Sequence, residues 1–436
     1  MDALAEQLDA ILPAAIEGSV AQTSGLTLAV DDFPAPVGAL VEVRRQAGGW
    51  IPAEVVGFRD DRTLVFPLQP VQGVRRGSPV RLRRTARMLP VGEALLGRVI
   101  NPQGEAIDGR PQPLLEHRAH FHRPAPQATQ RPRIDTPLST GIRAIDGLLT
   151  CGKGQRLGVF SGSGVGKSVL LGMMARYTTA DVNVIALIGE RGREVNEFIE
   201  RDLGPTGLER SVVVVATSDE PAIVRLQAAY CATAIAEFFR DQQRDVLLMM
   251  DSATRLAMAQ REIGLAAGEP PTTRGYPPSV FSLLPALLER AGRTREGSIT
   301  GIYSVLVEGD DHNEPIADTC RGVLDGHFWL SRRIASRGQY PAIDLLESIS
   351  RLMNDLVPPE HLTAARLFRE LLAAYHDHED LISIGAYRRG ANPTVDAALT
   401  LRERMTTFLK QAVSESSTVE SARKELLALM SAGPTA

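Results

Sequence analysis

The segment Ser161-Gly-Ser-Gly-Val-Gly-Lys-Ser168 constrains the fold more than any other stretch of this chain. It follows an apolar run, Arg156-Leu-Gly-Val-Phe160, and precedes a helix expected to begin near Gly166. A buried strand, a glycine-rich loop and a helix in that order let backbone N–H groups wrap phosphate oxygens while the positive end of the helix faces them. Gly162, Gly164 and Gly166 free the loop backbone, and Ser163, Val165 and Val169 complete the candidate phosphate-binding run. Lys167 would reach the outer phosphates of a nucleotide such as ATP, and Ser168 would coordinate Mg²⁺. The strict pattern has glycine where Ser161 stands, but a small residue there leaves the three inner glycines in place.

Further apolar runs follow: Val182-Asn-Val-Ile-Ala-Leu-Ile188, Ser211-Val-Val-Val-Val-Ala216 and Asp245-Val-Leu-Leu-Met-Met250. Near-continuous apolar strands separated by helical stretches indicate an α/β fold, with a parallel sheet covered on both faces. Ser218 and Asp219 are placed to cap the helix after the second of these runs. With 436 residues the chain is long enough for two or three packed units. Residues 18–90 are short β-rich runs such as Leu40-Val-Glu-Val43, punctuated by glycines, and read as a small β-barrel. A Pro-, Arg- and His-rich hinge, Arg118 to Arg133, lies in the core region 91–357, and residues 358–436 turn helical, most clearly at Leu362 to Tyr375 and Val395 to Val413. Residues 1–17 form an amphipathic segment that carries Asp2, Glu6 and Asp9 without a base, which suits a protein partner better than anionic lipid.

Composition narrows the function. Hydrophobic residues are 44% and charged residues 23%, far from the disordered corner. With 48 bases against 52 acids there is no global positive field for nucleic acid. Cys151, Cys231 and Cys320 are widely spaced and read as reduced structural thiols. No apolar run reaches the roughly 18 residues of a membrane span, and the start lacks the basic region of a secretory signal, so a cytoplasmic protein is expected. His376-Asp-His-Glu-Asp380 reads as a solvated helix end, since adjacent and i+2 residues on a helix point different ways.

Two further chemical candidates emerge. Asp251 ends an apolar strand, where a carboxylate can serve the metal side of a phosphate site. Hydrolysis also needs a group to position water, and Gly189-Glu-Arg-Gly-Arg-Glu194 offers Glu190 and Glu194, between which spacing alone does not choose.

Taken together, Gly189-Glu-Arg-Gly-Arg-Glu194, Leu248-Met-Met-Asp-Ser252, Tyr340-Pro-Ala-Ile-Asp344 and Ser348-Ile-Ser-Arg351 resemble the catalytic subunits of rotary ATPases and the type III export ATPases. The resemblance implies a homohexameric ring with a RecA-like P-loop core, an N-terminal β-barrel, a helical C-terminal domain and nucleotide at the subunit interfaces. It implies Mg-ATP hydrolysis, with Glu190 polarising the attacking water, Arg191 and Arg255 near the phosphates, and Tyr340 stacking on adenine. Arg351 would be an arginine finger reaching into the neighbouring subunit, and Val413 would stand where rotary β subunits carry a second aromatic.

The segments Gly268 to Val280 and Val307 to Asp318 resemble the export branch more closely than the rotary one, and Gly385-Ala-Tyr-Arg-Arg-Gly-Ala-Asn-Pro393 is basic where the rotary β subunit carries an acidic loop. Gly385 to Tyr387 and Asp344 to Arg351 look more flagellar than injectisome. The implied partners are a stator-like regulator at the N-terminal helix, a central stalk protein, the export gate at the inner membrane, and export substrates with their chaperones. Rival readings are a rotary synthase subunit and a nucleic-acid-translocating hexamer; the latter lacks an aromatic-basic stacking strip here.

Overall fold

The computed structural model describes residues 15–307, 311 and 314–431, so the expected amphipathic helix falls almost wholly outside the described residues. Six strands close an N-terminal barrel: β1 (Glu17–Ser24), β2 (Thr27–Asp31), β3 (Leu40–Arg44), β4 (Trp50–Arg59), β5 (Arg62–Pro67) and β6 (Pro79–Arg84). The strand order is β1-β2-β5-β4-β3-β6, with β6 pairing back onto β1. Alternation explains the closure. Val41 and Val43, Ile51, Ala53 and Val55, and Val80 fill the interior, while the residues between them face outward.

The hinge is more ordered than its composition suggests. His117–His120 pairs antiparallel with Met88–Val91, so this segment forms a two-stranded ribbon with the stretch that follows the barrel. Backbone pairing, which polar residues satisfy as well as apolar ones, accounts for the difference.

The core sheet is built from β7 (Arg98–Ile100), β8 (Arg156–Ser161), β9 (Val182–Glu190), β10 (Ser211–Thr217), β11 (Asp245–Asp251), β12 (Ser298–Leu306), β13 (Gly326–Leu330) and β14 (Ile343–Ser350). Their order is β14-β13-β8-β12-β11-β9-β10-β7, parallel throughout except for β14, which runs antiparallel to β13. Helices cover both faces: α1 (Lys167–Tyr177), α2 (Ala222–Asp241), α3 (Ala253–Ala267), α4 (Pro278–Leu288) and α5 (Pro315–Val323). The expected α/β class with its barrel and C-terminal helices is what the chain adopts.

Helix α2 is long and apolar enough to span a membrane, yet 83% of its most apolar window is buried inside the protein, packed on β9, β10 and β11. It carries no side-chain cap. Pro221 takes the N-cap position, while the Asp219 carboxylate turns back to the Thr217 hydroxyl, so the capping expected of Ser218 and Asp219 does not form.

All three cysteines are free and buried, and burial pushes the Cys231 and Cys320 thiols up to about 12. Three C-terminal helices, α6 (Pro359–Asp377), α7 (Pro393–Leu409) and α8 (Val419–Ser431), pack on one another and on the core through Arg143–Leu148. Helix α7 stops four residues short of the expected Val413, because Lys410 turns extended. Within the acidic–histidine cluster, Glu379 pairs with Arg337 at 2.7 Å, while His378 Nδ1 meets the Ala374 carbonyl.

Edge strand β7 is pinned by a bidentate pair, Arg98 Nε to Asp108 Oδ2 at 2.7 Å and Nη2 to Oδ1 at 2.9 Å. These bonds hold the Asp108 carboxyl well below the usual carboxylate range. A depressed carboxylate stabilises the fold above its unfolded pKa, near 3.9, and that stabilisation disappears as pH falls toward the folded value. Asp108→Asn should therefore cost about 1.5–3 kcal/mol at neutral pH in urea unfolding, a gap that narrows below about pH 4. An undiminished gap in acid would rule this account out.

Candidate active site

Parallel alignment brings the C-terminal ends of β8, β11, β12 and β9 to one edge of the sheet. After β8 the chain turns through Gly164 and Gly166, whose φ angles of 78° and 89° are open to glycine at little cost. No atom lies within 4 Å of where a Gly164 side chain would begin. Gly166 is the N-cap of α1, which starts at Lys167, so the loop amides and the helix terminus face the same open space. Val165 is buried among core residues and anchors the loop, Val169 is half-buried against the same core, and Ser163 and Ser168 are exposed.

Lys167 reaches sideways to the end of β11, where its ammonium pairs with Asp251 Oδ1 and lies 4.0 Å from Glu190 Oε1. Asp251 is buried, and Ser304 Oγ on the intervening strand β12 donates to the same Oδ1 at 2.6 Å. Both protein donors land on one oxygen. Oδ2 takes none among the described residues and, like the Ser168 hydroxyl in the first turn of α1, is the kind of hard oxygen donor that Mg²⁺ prefers, so the residues fit this ion.

Glu190 ends β9, where the pairing with β10 slips at Gly189 (φ 67°) and re-aims the chain. A side chain at Gly189 would begin 3.0 Å from Arg255 Cδ and displace that arginine. Arg255 rides in the first turn of α3, started by Ser252, whose Oγ accepts from the Arg255 amide at 3.3 Å. Its guanidinium meets Glu190 at 3.2 and 3.4 Å. Burial, followed by the neighbouring Asp251 charge, raises the Glu190 carboxyl to about 7, against the opposing pull of Lys167 and Arg255. This is the range in which a carboxylate can exchange a proton with water at neutral pH. Glu194 is more exposed and pairs with Arg191 at 3.6 Å, and its carboxyl is held below the ordinary value chiefly by its bond with Glu190.

Not every candidate converges. The side chain of Arg191 is 78% exposed and pairs with Glu194 rather than with Glu190 or Asp251. The Tyr340 ring brings its Cδ1–Cε1 edge to 3.5 Å from where a Gly166 side chain would begin and is half open to solvent. Val413 is exposed, and its carbonyl accepts from Arg176 at 3.0 Å and from the Tyr177 hydroxyl at 3.1 Å.

Arg351 lies at the far end of the sheet. Its amide donates to the Asp325 carbonyl, and the Asp325 amide donates to Arg156, the first residue of the strand whose last residue opens the loop. Five steps of extended chain, about 17 Å, separate the two ends, so the Arg351 guanidinium cannot reach its own loop.

Three neighbours escaped the sequence reading. Ser304 supports Asp251, and Thr254 Oγ1 accepts from the Leu306 amide at 2.8 Å. The exposed Arg332 lies across Gly162, 2.8 Å from where a side chain there would begin. A polar residue inside an apolar strand, as at Ser304, was the available signal.

Known proteins share this fold and much of its sequence. Residues 141–350 match the ATP synthase alpha/beta family nucleotide-binding domain, 20–83 the beta-barrel domain of the same family, and 357–428 the T3SS EscN ATPase C-terminal domain. The flagellum-specific ATP synthase of Bacillus subtilis is 51% identical over 414 residues, covering 94% of each chain. This chain belongs to the type III export branch of the ATP synthase alpha/beta family.

The type 3 secretion system ATPase of Xanthomonas euvesicatoria is 50% identical, covering 92% of this chain and 90% of the relative. The assembled ATPase EscN from the type III secretion system of enteropathogenic E. coli superimposes with a TM-score of 0.89 at 43% identity, over 95% of this chain and 100% of that one. EscN has also been solved in complex with its central stalk EscO, and that structure matches with a TM-score of 0.88. For this export-branch chain, removing the Lys167 ammonium would leave Asp251 and Glu190 facing each other without the intervening cation. Lys167→Ala should abolish saturable binding of a fluorescent ATP analogue, and wild-type affinity in the variant would remove Lys167 from the site.

Proposed function

We propose that this chain is the ATPase of a bacterial type III protein export apparatus, hydrolysing Mg-ATP to energise chaperone release, unfolding and export of substrate proteins. The observation that carries this reading is the division of charged groups between the two ends of the sheet. Lys167, Asp251, Glu190 and Arg255 cluster beside the loop, while Arg351 sits about 17 Å away, so a complete site needs two copies. A ring of identical subunits, here a homohexamer, supplies such pairs repeatedly.

In this mechanism the loop amides and Lys167 hold the β and γ phosphates. Ser168 and Asp251 would hold Mg²⁺, which neutralises charge on the phosphate oxygens. Glu190 orients the attacking water and takes its proton, and Arg255 fixes the carboxylate in place. The Arg351 of the adjacent subunit meets charge developing on the γ phosphate, and such fingers contribute about 10³ to 10⁵ in rate. Arg191 would have to swing inward from solvent to approach the phosphates, while Tyr340 stacks on the adenine.

The flagellar branch is our preferred assignment, supported by Gly385-Ala-Tyr387 and the Asp344 to Arg351 stretch. Relatives named for flagella and for secretion systems are almost equally similar, which keeps the injectisome as the second reading. We place the enzyme in the cytoplasm, peripheral to the inner-membrane export gate. Its partners would be a stator-like regulator at the N-terminal segment and a central stalk against the basic loop at Arg388 and Arg389.

Glu190→Gln should bind ATP without turnover, and Arg351→Ala should slow turnover in assembled rings by about 10³-fold or more. Mixing the two variants should restore part of the activity, because some interfaces then carry one intact residue of each kind. Phosphate release by mixed rings that stays at the level of the separate variants would overturn the in-trans assignment. For the branch, deletion of the gene should abolish swimming; a motile strain that loses secretion instead would select the injectisome.

A further inference from the structure

Gln411 occupies a junction that the reaction scheme above does not use. It follows the last turn of α7, where Lys410 leaves the helix with φ −85° and ψ 136°. Its backbone N–H donates to the Tyr340 carbonyl at 3.0 Å. The residue is only 7% exposed, and its side-chain amide makes three hydrogen bonds. Oε1 accepts from the Arg143 amide at 2.7 Å, and Nε2 donates to the Gly141 carbonyl at 2.8 Å and to the Glu415 carbonyl at 2.9 Å.

One residue thus joins three parts of the molecule: the exit of the C-terminal helices, the start of the nucleotide-binding domain at Gly141–Arg143, and the tyrosine that lies against Gly166. Two residues later the Val413 carbonyl is tied to Arg176 and Tyr177 at the far end of α1. The segment 411–413 is therefore a strap, tied at one end to the Tyr340 backbone and the start of the nucleotide-binding domain and at the other to the C-terminal end of the phosphate-loop helix.

We infer that Gln411 is a positioning residue for nucleotide affinity, fixing the height of the Tyr340 ring over the loop and coupling the C-terminal helices to the base-binding face. The inference rests on the reading of Tyr340 as the stacking partner of the adenine. A buried amide with three satisfied bonds can hold one backbone register, and an apolar residue there cannot. A shift of α7 moves the Tyr340 carbonyl with it through the Gln411 amide. The phosphate-side residues Lys167, Asp251 and Glu190 are not bonded to the strap, so turnover of bound nucleotide is left largely alone.

The test is a double-mutant cycle in the assembled enzyme, measuring KM and kcat for ATP. Gln411→Ala should raise KM by about tenfold with kcat changed less than about twofold. Gln411→Met, which fills the same space without the amide bonds, should do the same and serves where the alanine variant fails to fold. In a Tyr340→Ala background neither Gln411 substitution should raise KM further, because both act through one contact. Independent, multiplying effects would overturn the inference, as would a wild-type KM in either Gln411 variant or a fall in kcat matching the rise in KM. If Tyr340→Ala alone leaves KM unchanged, the stacking role of Tyr340 is what fails and the inference goes with it. If Tyr340→Ala raises KM and Gln411→Met does not, only the role of Gln411 is lost.

Discussion

The Lys167 ammonium, held between the Asp251 and Glu190 carboxylates at the ends of neighbouring strands, is the interaction around which the rest of this molecule is arranged. Two acids near each other in a buried cleft repel, and a cation between them offsets that repulsion. The lysine keeps them compatible, and its place depends on the glycine loop that turns the chain from β8 into α1. Ser304 and Arg255 then fix the two carboxylates from outside, so the charged groups are set before any substrate arrives. Preorganised charge of this kind needs no rearrangement at the moment of reaction.

That cluster explains the choice of sheet. In an antiparallel meander successive strand ends fall on alternate edges; here β8, β11, β12 and β9 all deliver their last residues to the same edge. The antiparallel strand β14 does the reverse and returns the chain to the opposite end, where Arg351 emerges. In the mechanism proposed above, one fold therefore carries both halves of a site but keeps them too far apart to meet within a single copy, so that closure of the site and assembly of subunits would be the same event.

Much of this was readable beforehand. The loop, the strand-end position of Asp251 and the parallel sheet follow from local patterns, since glycine spacing and long apolar runs report backbone demands directly. Spacing did not choose between Glu190 and Glu194, and the resemblance that favoured Glu190 could not show their surroundings: beside the bulge at Gly189, Glu190 is buried near Lys167, while Glu194 stays near solvent. The resemblance set Arg191 and Arg255 alike near the phosphates, yet Arg255, in the turn started by Ser252, meets Glu190 while Arg191 stays largely in solvent. Helix α7 ended early because the amide of Gln411 found tertiary partners, a competition invisible to helical periodicity.

By itself the sequence determined which backbone segments can exist: a loop able to turn at Gly164 and Gly166, strands apolar enough to be buried on both faces, and a barrel of alternating residues. Those properties are local, set by sterics and by the period of apolar side chains. Only the tertiary structure decided which charges would lose water together and which would keep it. Desolvation and Coulomb energy depend on neighbours that lie far apart along the chain, as Lys167, Glu190 and Asp251 do.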